Sequence, residues 1–274
     1  MDLSVIIVNY NTIKLLKKCV DSVKKTFPEG EIIVVDNASS DGSREEIPQM
    51  AVKYILLEEN AGFSKANNVG LKQATGENIL FLNPDTIVHE NTLKRCLDFL
   101  KANKKTGAVG CRVVLPDGSL DKACKRKFPT PLNSFCTIFK VAKILPKLGY
   151  NVVGNDEGVY PVDCLVGAFM MCPKAVLKKT GAFDEDFFMY GEDIDLCFRI
   201  KKAGYEIWYL GDFAITHVKG AVGKRSKKAK IAFYDSMGIY YKKHFKRGVF
   251  TFLVDIAIKI LKKFRRKKCS DKTL

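Results

Sequence analysis

Four short clusters of carboxylate and amide side chains carry the chemistry open to this sequence. They are Asp36-Asn37-Ala38-Ser39-Ser40-Asp41-Gly42-Ser43, Asn60-Ala61-Gly62-Phe63, Asn83-Pro84-Asp85 and Glu192-Asp193-Ile194-Asp195. The first and third each follow a run of β-branched and aromatic residues. In a parallel sheet the loops leaving the carboxyl ends of the strands converge on one crevice. Acids gathered there in a chain of formal net charge +16 are not explained by solubility. Their types suit a nucleotide, a divalent cation and a general base.

Each cluster has a structural alternative. Asp36 at the end of a strand can accept a hydrogen bond from a base N–H or a ribose hydroxyl, or it can cap a segment rich in turn formers. Asp85 offers the oxygen ligand that Mg²⁺ or Mn²⁺ shares with substrate phosphates, but Asn-Pro-Asp also reads as an Asx-Pro turn. Acids at the start of a helix are favourable for dipole reasons alone. Six of them, Asp184, Glu185, Asp186, Glu192, Asp193 and Asp195, exceed what capping needs, and crowded carboxylates raise one another's pKa, as a general base requires. His217 stands just ahead of Gly220 and the basic loop Gly223-Lys224-Arg225, a setting that suits a metal or diphosphate contact.

The elements that must position these groups follow from hydrophobic period. Leu3 to Val8 and Glu31 to Val35 are near-continuous apolar runs, as expected of strands buried on both faces. Between them Leu15, Leu16, Cys19, Val20 and Val23 recur at helical spacing, which makes a βαβ unit with right-handed crossover. A helix over Ser64–Ala74, a strand over Asn78–Leu82, a helix from about Asn91 to Lys101 and a strand over Ala108–Leu115 continue the alternation. Residues 120 to 160 read as an irregular, proline-punctuated insertion with one amphipathic helix and the aromatic residues Phe128, Phe135 and Phe139. Regular structure resumes at Val162–Cys172, then a helix over Glu192–Ala203 and a strand over Tyr205–Leu210. The expected fold class is α/β, a mostly parallel, Rossmann-like sheet flanked by helices.

The nine cysteines show no CxxC pair, which fits a reducing compartment better than a disulfide framework. Met1-Asp2 leads straight into a strand-like run too short for a signal sequence, so a cytoplasmic location is expected. From Val249 to Phe264 apolar residues cover a broad arc, with Thr251, Asp255, Lys259 and Lys263 four apart on the other face and a basic run behind them. Asp255 and Lys259 interrupt any membrane span. An amphipathic helix lying on an acidic membrane surface fits the pattern, and so does a terminal helix packed on the domain. The expected division is a catalytic domain over 1–240 and a basic tail over 241–274.

Taken in order, these segments resemble the family 2 glycosyltransferases of GT-A fold, most closely the bacterial rhamnosyltransferase-like branch. The residues that carry the likeness are Val5 to Asn11, Val35 to Ser43, Asn60-Ala61-Gly62-Phe63 through Gly70, Leu82-Asn83-Pro84-Asp85, Gly167-Ala168-Phe169-Met170, Gly181 to Asp195 and His217. The resemblance implies a nucleotide-sugar donor, dTDP- or UDP-linked, with Asp36 holding the nucleoside and Asn9, Gly62 and Asn67 lining its pocket. It implies Asp85, within the Asn83-Pro84-Asp85 form of the metal-binding element, and His217 as ligands of Mg²⁺ or Mn²⁺. It further implies Asp193 as catalytic base, with Glu192 beside it, Gly167 shaping the sugar and acceptor pocket, and Arg225 on the departing diphosphate. One carboxylate stands in that element where other members have two. The implied reaction inverts the anomeric centre and passes the sugar to a glycan or lipid-linked acceptor in surface polysaccharide assembly, at the inner face of the plasma membrane.

Two other classes compete. A nucleotide-sugar pyrophosphorylase needs a glycine-rich basic loop after the first strand, and Asn9-Tyr10-Asn11-Thr12 has none. GxGxxG and GxxxxGK[ST] are absent too. A basic membrane- or nucleic-acid-binding protein without transferase activity would use the positive charge, but it leaves the acidic clusters unexplained, and no nucleic-acid partner is expected.

Overall fold

The computed structural model describes residues 1–138, 156–218, 227–245 and 248–270. Strands Leu3–Asn9 (β1) and Glu31–Asp36 (β2) are buried along their whole length. Lys53–Leu56 (β3) is a half-exposed edge, and Asn78–Leu82 (β4) is again wholly buried. Strands covered on both faces have no solvent side to alternate with, which is why their sequences read as unbroken apolar runs. β3, β2, β1 and β4 lie side by side in parallel. The sheet then continues through Phe169–Pro173 (β10), Thr106–Val114 (β6) and Glu206–His217 (β11) to Thr86–Val88 (β5), with Val159–Pro161 (β8) also on β11. Lys125–Arg126 (β7) and Cys164–Leu165 (β9) form a separate two-stranded ribbon.

The mixed character of this sheet departs from simple alternation. β10 runs antiparallel to both its neighbours, β4 and β6. The amino end of β10 therefore meets the carboxyl ends of β4 and β6. The strand expected over Tyr205–Leu210 runs on to His217 as one strand of 12 residues, broken in register between Leu210 and Ala214. The short strands β3 and β5 have no sequence signature of their own.

Helices cover both faces. Ile13–Thr26 (α1) buries Ile13, Leu16, Cys19, Val20 and Val23. Phe63–Gln73 (α3) follows the short helix Ser43–Glu46 (α2), and Thr92–Ala102 (α4) packs on β6. Pro131–Ile138 (α5) is the helix of the expected insertion, while Phe139 lies outside the described residues. Lys174–Thr180 (α6) and Glu192–Lys202 (α7) complete the domain. The eight cysteines among the described side chains are all buried and unbridged.

The chain ends in Lys227–His244 (α8) and Val249–Ser270 (α9). Phe187, Tyr240, Tyr241, Val254 and Ile258 form a second, smaller core, and the Tyr241 hydroxyl bonds Ser134 on α5. The inner face of α9 carries Thr251, Val254, Ala257 and Ile258. The face reading is thereby inverted at Thr251, which is buried. Val249, Phe252, Leu253, Ile256 and Ile260 form an exposed apolar stripe instead. Among the described residues no helix is long and apolar enough to cross a membrane.

One buried carboxylate ties the amino edge of the sheet together. Glu31 accepts hydrogen bonds from Ser4, Lys53 and the Thr75 amide. Burial works against its charge, yet these donors hold it down at about 2. Its folded value lies below its unfolded one, so the stability it contributes is present above pH ~4.5 and is lost as pH falls through ~2. Glu31→Ala strands Ser4 and the Thr75 amide and should cost about 1–3 kcal/mol. Denaturant unfolding at pH 7 checks this, and the deficit should shrink at pH 2.

Candidate active site

The first strand ends on Asn9, and Asn9 pairs in register with Asp36, the last residue of β2. Their side chains meet, with Asn9 Nδ2 2.8 Å from Asp36 Oδ1. The same amide nitrogen lies 2.8 Å from Ser43 Oγ and 3.1 Å from Ser39 Oγ, and Thr12 donates to Asn9 Oδ1. Asp36 also accepts from the Ser39 amide at 3.0 Å, and Arg44 stands 3.9 Å away. The capping role is present: Asp36 caps the turn, fully buried at the end of β2. Asn11 and Ala38 adopt positive φ here, a conformation that costs non-glycine residues of order 1–3 kcal/mol and gathers at functional sites.

Asn37 links this loop to the next cluster. Its amide nitrogen donates to Asn60 Oδ1 at 3.0 Å, and its Oδ1 accepts from the Ala61 amide at 2.8 Å. Gly62 has φ +85°, and a Cβ there would lie 2.7 Å from both the Phe188 ring and the Phe188 carbonyl. Only glycine fits. Asn67, in contrast, is buried and donates to the Phe63 carbonyl of its own helix, so its amide serves α3.

At the end of β4 the Asn83 amide donates to the Ala168 carbonyl at 3.0 Å, which sets Gly167-Ala168 beside the third cluster. Asn83 Oδ1 is buried with no hydrogen-bond partner. Asp85 and His217 come together, Oδ1 to Nε2 at 3.2 Å, with Asp121 Oδ2 3.6 Å from Nδ1. Burial opposes the imidazolium, but the two carboxylates outweigh it and raise His217 to about 9. Among the described residues no three His, Cys, Asp or Glu side chains converge as a closed metal cage. One oxygen and one nitrogen ligand fit an ion that takes its remaining positions from a diphosphate and water.

The acidic stretch divides in two. Asp184 and Asp186 are held by Lys243, Glu185 by Asn68, and Asp195 by Arg199 and His244. These four are tethers between α7, α8 and α3, which corrects the reading of all six as one reactive cluster. Glu192 and Asp193 remain, at the start of α7 behind Gly191 (φ +83°) and the strained Tyr190 (φ +70°). Asp193 Oδ2 accepts from Arg126 at 2.7 Å and from the Gly167 amide at 3.1 Å. Glu192 is buried, and its Oε2 has no partner. Burial first, and then the charge of Asp193, raises the Glu192 carboxyl to about 8.

Asn9 thus meets Asp36, Asn83 meets Ala168 next to Gly167, Gly167 meets Asp193 next to Glu192, and Asp85 meets His217, all on the side of the sheet where β1, β2 and β4 end. Arg225 lies outside the described residues. Arg126 and Asp121 escaped the sequence reading, Arg126 because it stands in a basic run from Lys122 to Lys127 that looks like solvated surface. That run is not a free cationic face either, since Lys125 is buried against Asp156 and Tyr160.

Comparison with known proteins gives the class, a nucleotide-sugar glycosyltransferase. The model of glycosyl transferase family 2 matches residues 4–181, and the chain belongs to that family. It is 29% identical over 210 residues to the low-salt glycan biosynthesis hexosyltransferase Agl10 of Haloferax volcanii, covering 75% of this chain and 64% of that one. It is 27% identical over 220 residues to the rhamnosyltransferase WbbL of Escherichia coli, covering 78% of this chain and 82% of that one. The structure of GalNAc-T7 with UDP, GalNAc and Mn²⁺ superposes with a TM-score of 0.62 at 16% identity, over 97% of this chain and 54% of that one. The shared architecture is the GT-A fold.

Glu192 and His217 both hold a proton more tightly folded than unfolded, so stability falls as pH rises, between ~4.5 and 8 for Glu192 and between ~6.5 and 9 for His217. In the presence of a chelator the melting temperature should fall from pH 6 to pH 9. Glu192→Gln should flatten that fall and raise the melting temperature by several degrees at pH 8, as thermal scans across pH will show.

Proposed function

We propose that this chain is an inverting glycosyltransferase. It would move a hexose of the rhamnose class from a dTDP- or UDP-linked donor to a hydroxyl of a glycan or lipid-linked acceptor in surface polysaccharide assembly. The observation that carries the reading is convergence. Asp36, the Asp85–His217 pair and the Glu192-Asp193 pair come from distant parts of the chain and stand on the same side of the sheet, where the parallel strands end. The names of the relatives support the sugar class, and the UDP and Mn²⁺ of the structural neighbour support the donor class and the metal.

The division of labour follows from the chemistry of each group. Asp36 accepts from the base or ribose, and Gly62 lets the backbone approach the nucleoside closely. Asp85 and His217, once the His217 proton is given up, would hold Mg²⁺ or Mn²⁺, and the ion would supply positive charge to the departing diphosphate. The basic loop with Arg225 supplies further positive charge there. Asp193 accepts the proton of the acceptor hydroxyl as its oxygen bonds the anomeric carbon, and the bond to the diphosphate breaks with its electron pair leaving on phosphate. No second carboxylate is needed as covalent nucleophile, so the configuration inverts. Gly167, with its amide on Asp193, leaves room for the sugar.

Residues 1–240 would carry this transfer, and 241–274 would serve as a basic tail that lands on the inner face of the plasma membrane. Val249 and Phe252 are 74% and 64% exposed, an arrangement that water disfavours and an acyl boundary accepts.

Thermal scans with UDP, dTDP or GDP, each with Mn²⁺ or Mg²⁺, test the donor site. A ligand at ~100 times its Kd should add about 2.7 kcal/mol, and a chelator should remove most of that gain. No shift with any nucleotide sinks the transferase reading. Asp193→Asn should abolish transfer and keep the nucleotide shift. For the tail, Phe252→Glu combined with Ile256→Glu should release the protein from anionic vesicles without lowering its melting temperature. Equal sedimentation of the two proteins with vesicles would remove the membrane contact.

A further inference from the structure

Arg126 is a half-buried cation that reaches the Asp193 carboxylate from outside every cluster named above. It sits on β7, where it pairs in register with Cys164 of β9. Its Nη2 donates to the Leu165 carbonyl at 2.9 Å and to Asp193 Oδ2 at 2.7 Å. The same carboxylate oxygen receives the Gly167 amide, while Oδ1 receives the Ile194 amide at 2.8 Å. Three donors therefore converge on Asp193. Its neighbour Glu192 has a buried Oε2 that meets none.

We propose that Arg126 is the positioning residue of this acidic pair, its guanidinium holding the Asp193 side chain in the one orientation from which it meets the acceptor hydroxyl, with Glu192 beside it. The inference rests on the transferase reading. Two carboxyl groups this close in a dry site do not both ionise cheaply, and a proton settles on the one with fewer donors. The raised value of Glu192, caused by burial and then by the Asp193 charge, agrees with that division. The acceptor then meets a carboxylate ready to take its proton and a neutral acid able to donate a hydrogen bond.

Other titratable groups surround the pair. Asp195 and Cys197 stand on α7 itself, Cys164 on β9, and Tyr240 and His244 on α8. Asp195 is already occupied by Arg199 and His244. Among the described residues, Arg126 is the cation bonded to Asp193.

The test compares Arg126→Met and Arg126→Lys with the unaltered full chain in kcat, KM for donor and acceptor, the pH profile of kcat, and the nucleotide-induced melting shift. For Arg126→Met the expected result is a loss of kcat of about 10²-fold, with donor KM and nucleotide shift retained. The acid limb of the profile should move to higher pH, because removing the guanidinium takes a positive charge from the acidic pair, which then holds its proton more tightly. Arg126→Lys should recover part of the rate, and added guanidinium should do the same for Arg126→Ala. Unchanged kcat and acid limb would overturn the proposal. So would a lost rate with an unmoved acid limb and no relief by guanidinium, which is the signature of damaged packing. Absence of nucleotide binding by the unaltered protein overturns both readings, whereas binding retained beside an unmoved acid limb overturns this one alone.

Discussion

Register between parallel strands is the constraint on which the crevice depends. Asn9 and Asp36 are opposite residues of β1 and β2, and their side chains bond because those strands end level. A slip of β2 by one residue against β1 would turn the Asp36 side chain to the opposite face and part it from Asn9. The apolar side chains of β1, β2 and β4 prevent that slip. They are buried on both faces, so any other register would place the polar ends of the strands in the core. The chemistry at the mouth of the sheet is therefore a consequence of packing beneath it.

Charge in the crevice is arranged so that each acid except one has a donor. Asp36 has Asn9 and the Ser39 amide, Asp85 has His217, Asp193 has Arg126 and the Gly167 amide, and Asp195 has Arg199 and His244. The exception is Glu192, whose buried Oε2 lacks a partner. A group left in that state costs the folded protein of order 1–3 kcal/mol. The cost is borne beside strained Tyr190 and behind Gly191, in a loop that α8 braces through Ser236 on the Met189 carbonyl. Strain and unpaired groups held in place by their surroundings gather at functional sites.

Much of this was legible in the sequence, for a physical reason. Strands covered on both faces leave unbroken apolar runs, helices leave a period, and loops that must bind through carboxylates and amides keep those residue types at strand ends. The α/β class, the first βα units and the clusters at Asp36, Asn83-Pro84-Asp85 and Glu192-Asp193 followed from those signals. Strand direction was not legible, because β10 is turned against its neighbours by connections rather than by its own residues. The inverted face of α9 at Thr251 has the same origin: a helix apolar on two sides does not announce which side the domain will cover.

Arg126 shows where such reading stops. It lies 67 residues from Asp193, on a strand of two residues too short to leave a pattern, within a run of cations that looks like solvated surface. Its meaning arises only when β7 pairs with β9 and brings the guanidinium under the start of α7. Lys125, next in the chain, is buried by the same pairing and turned the other way, onto Asp156 and Tyr160. Alternation along an extended strand sends successive side chains to opposite faces, so one cation serves the site and its neighbour the scaffold. In a chain with so many positive charges, the few that matter to chemistry are those the sheet has taken out of water.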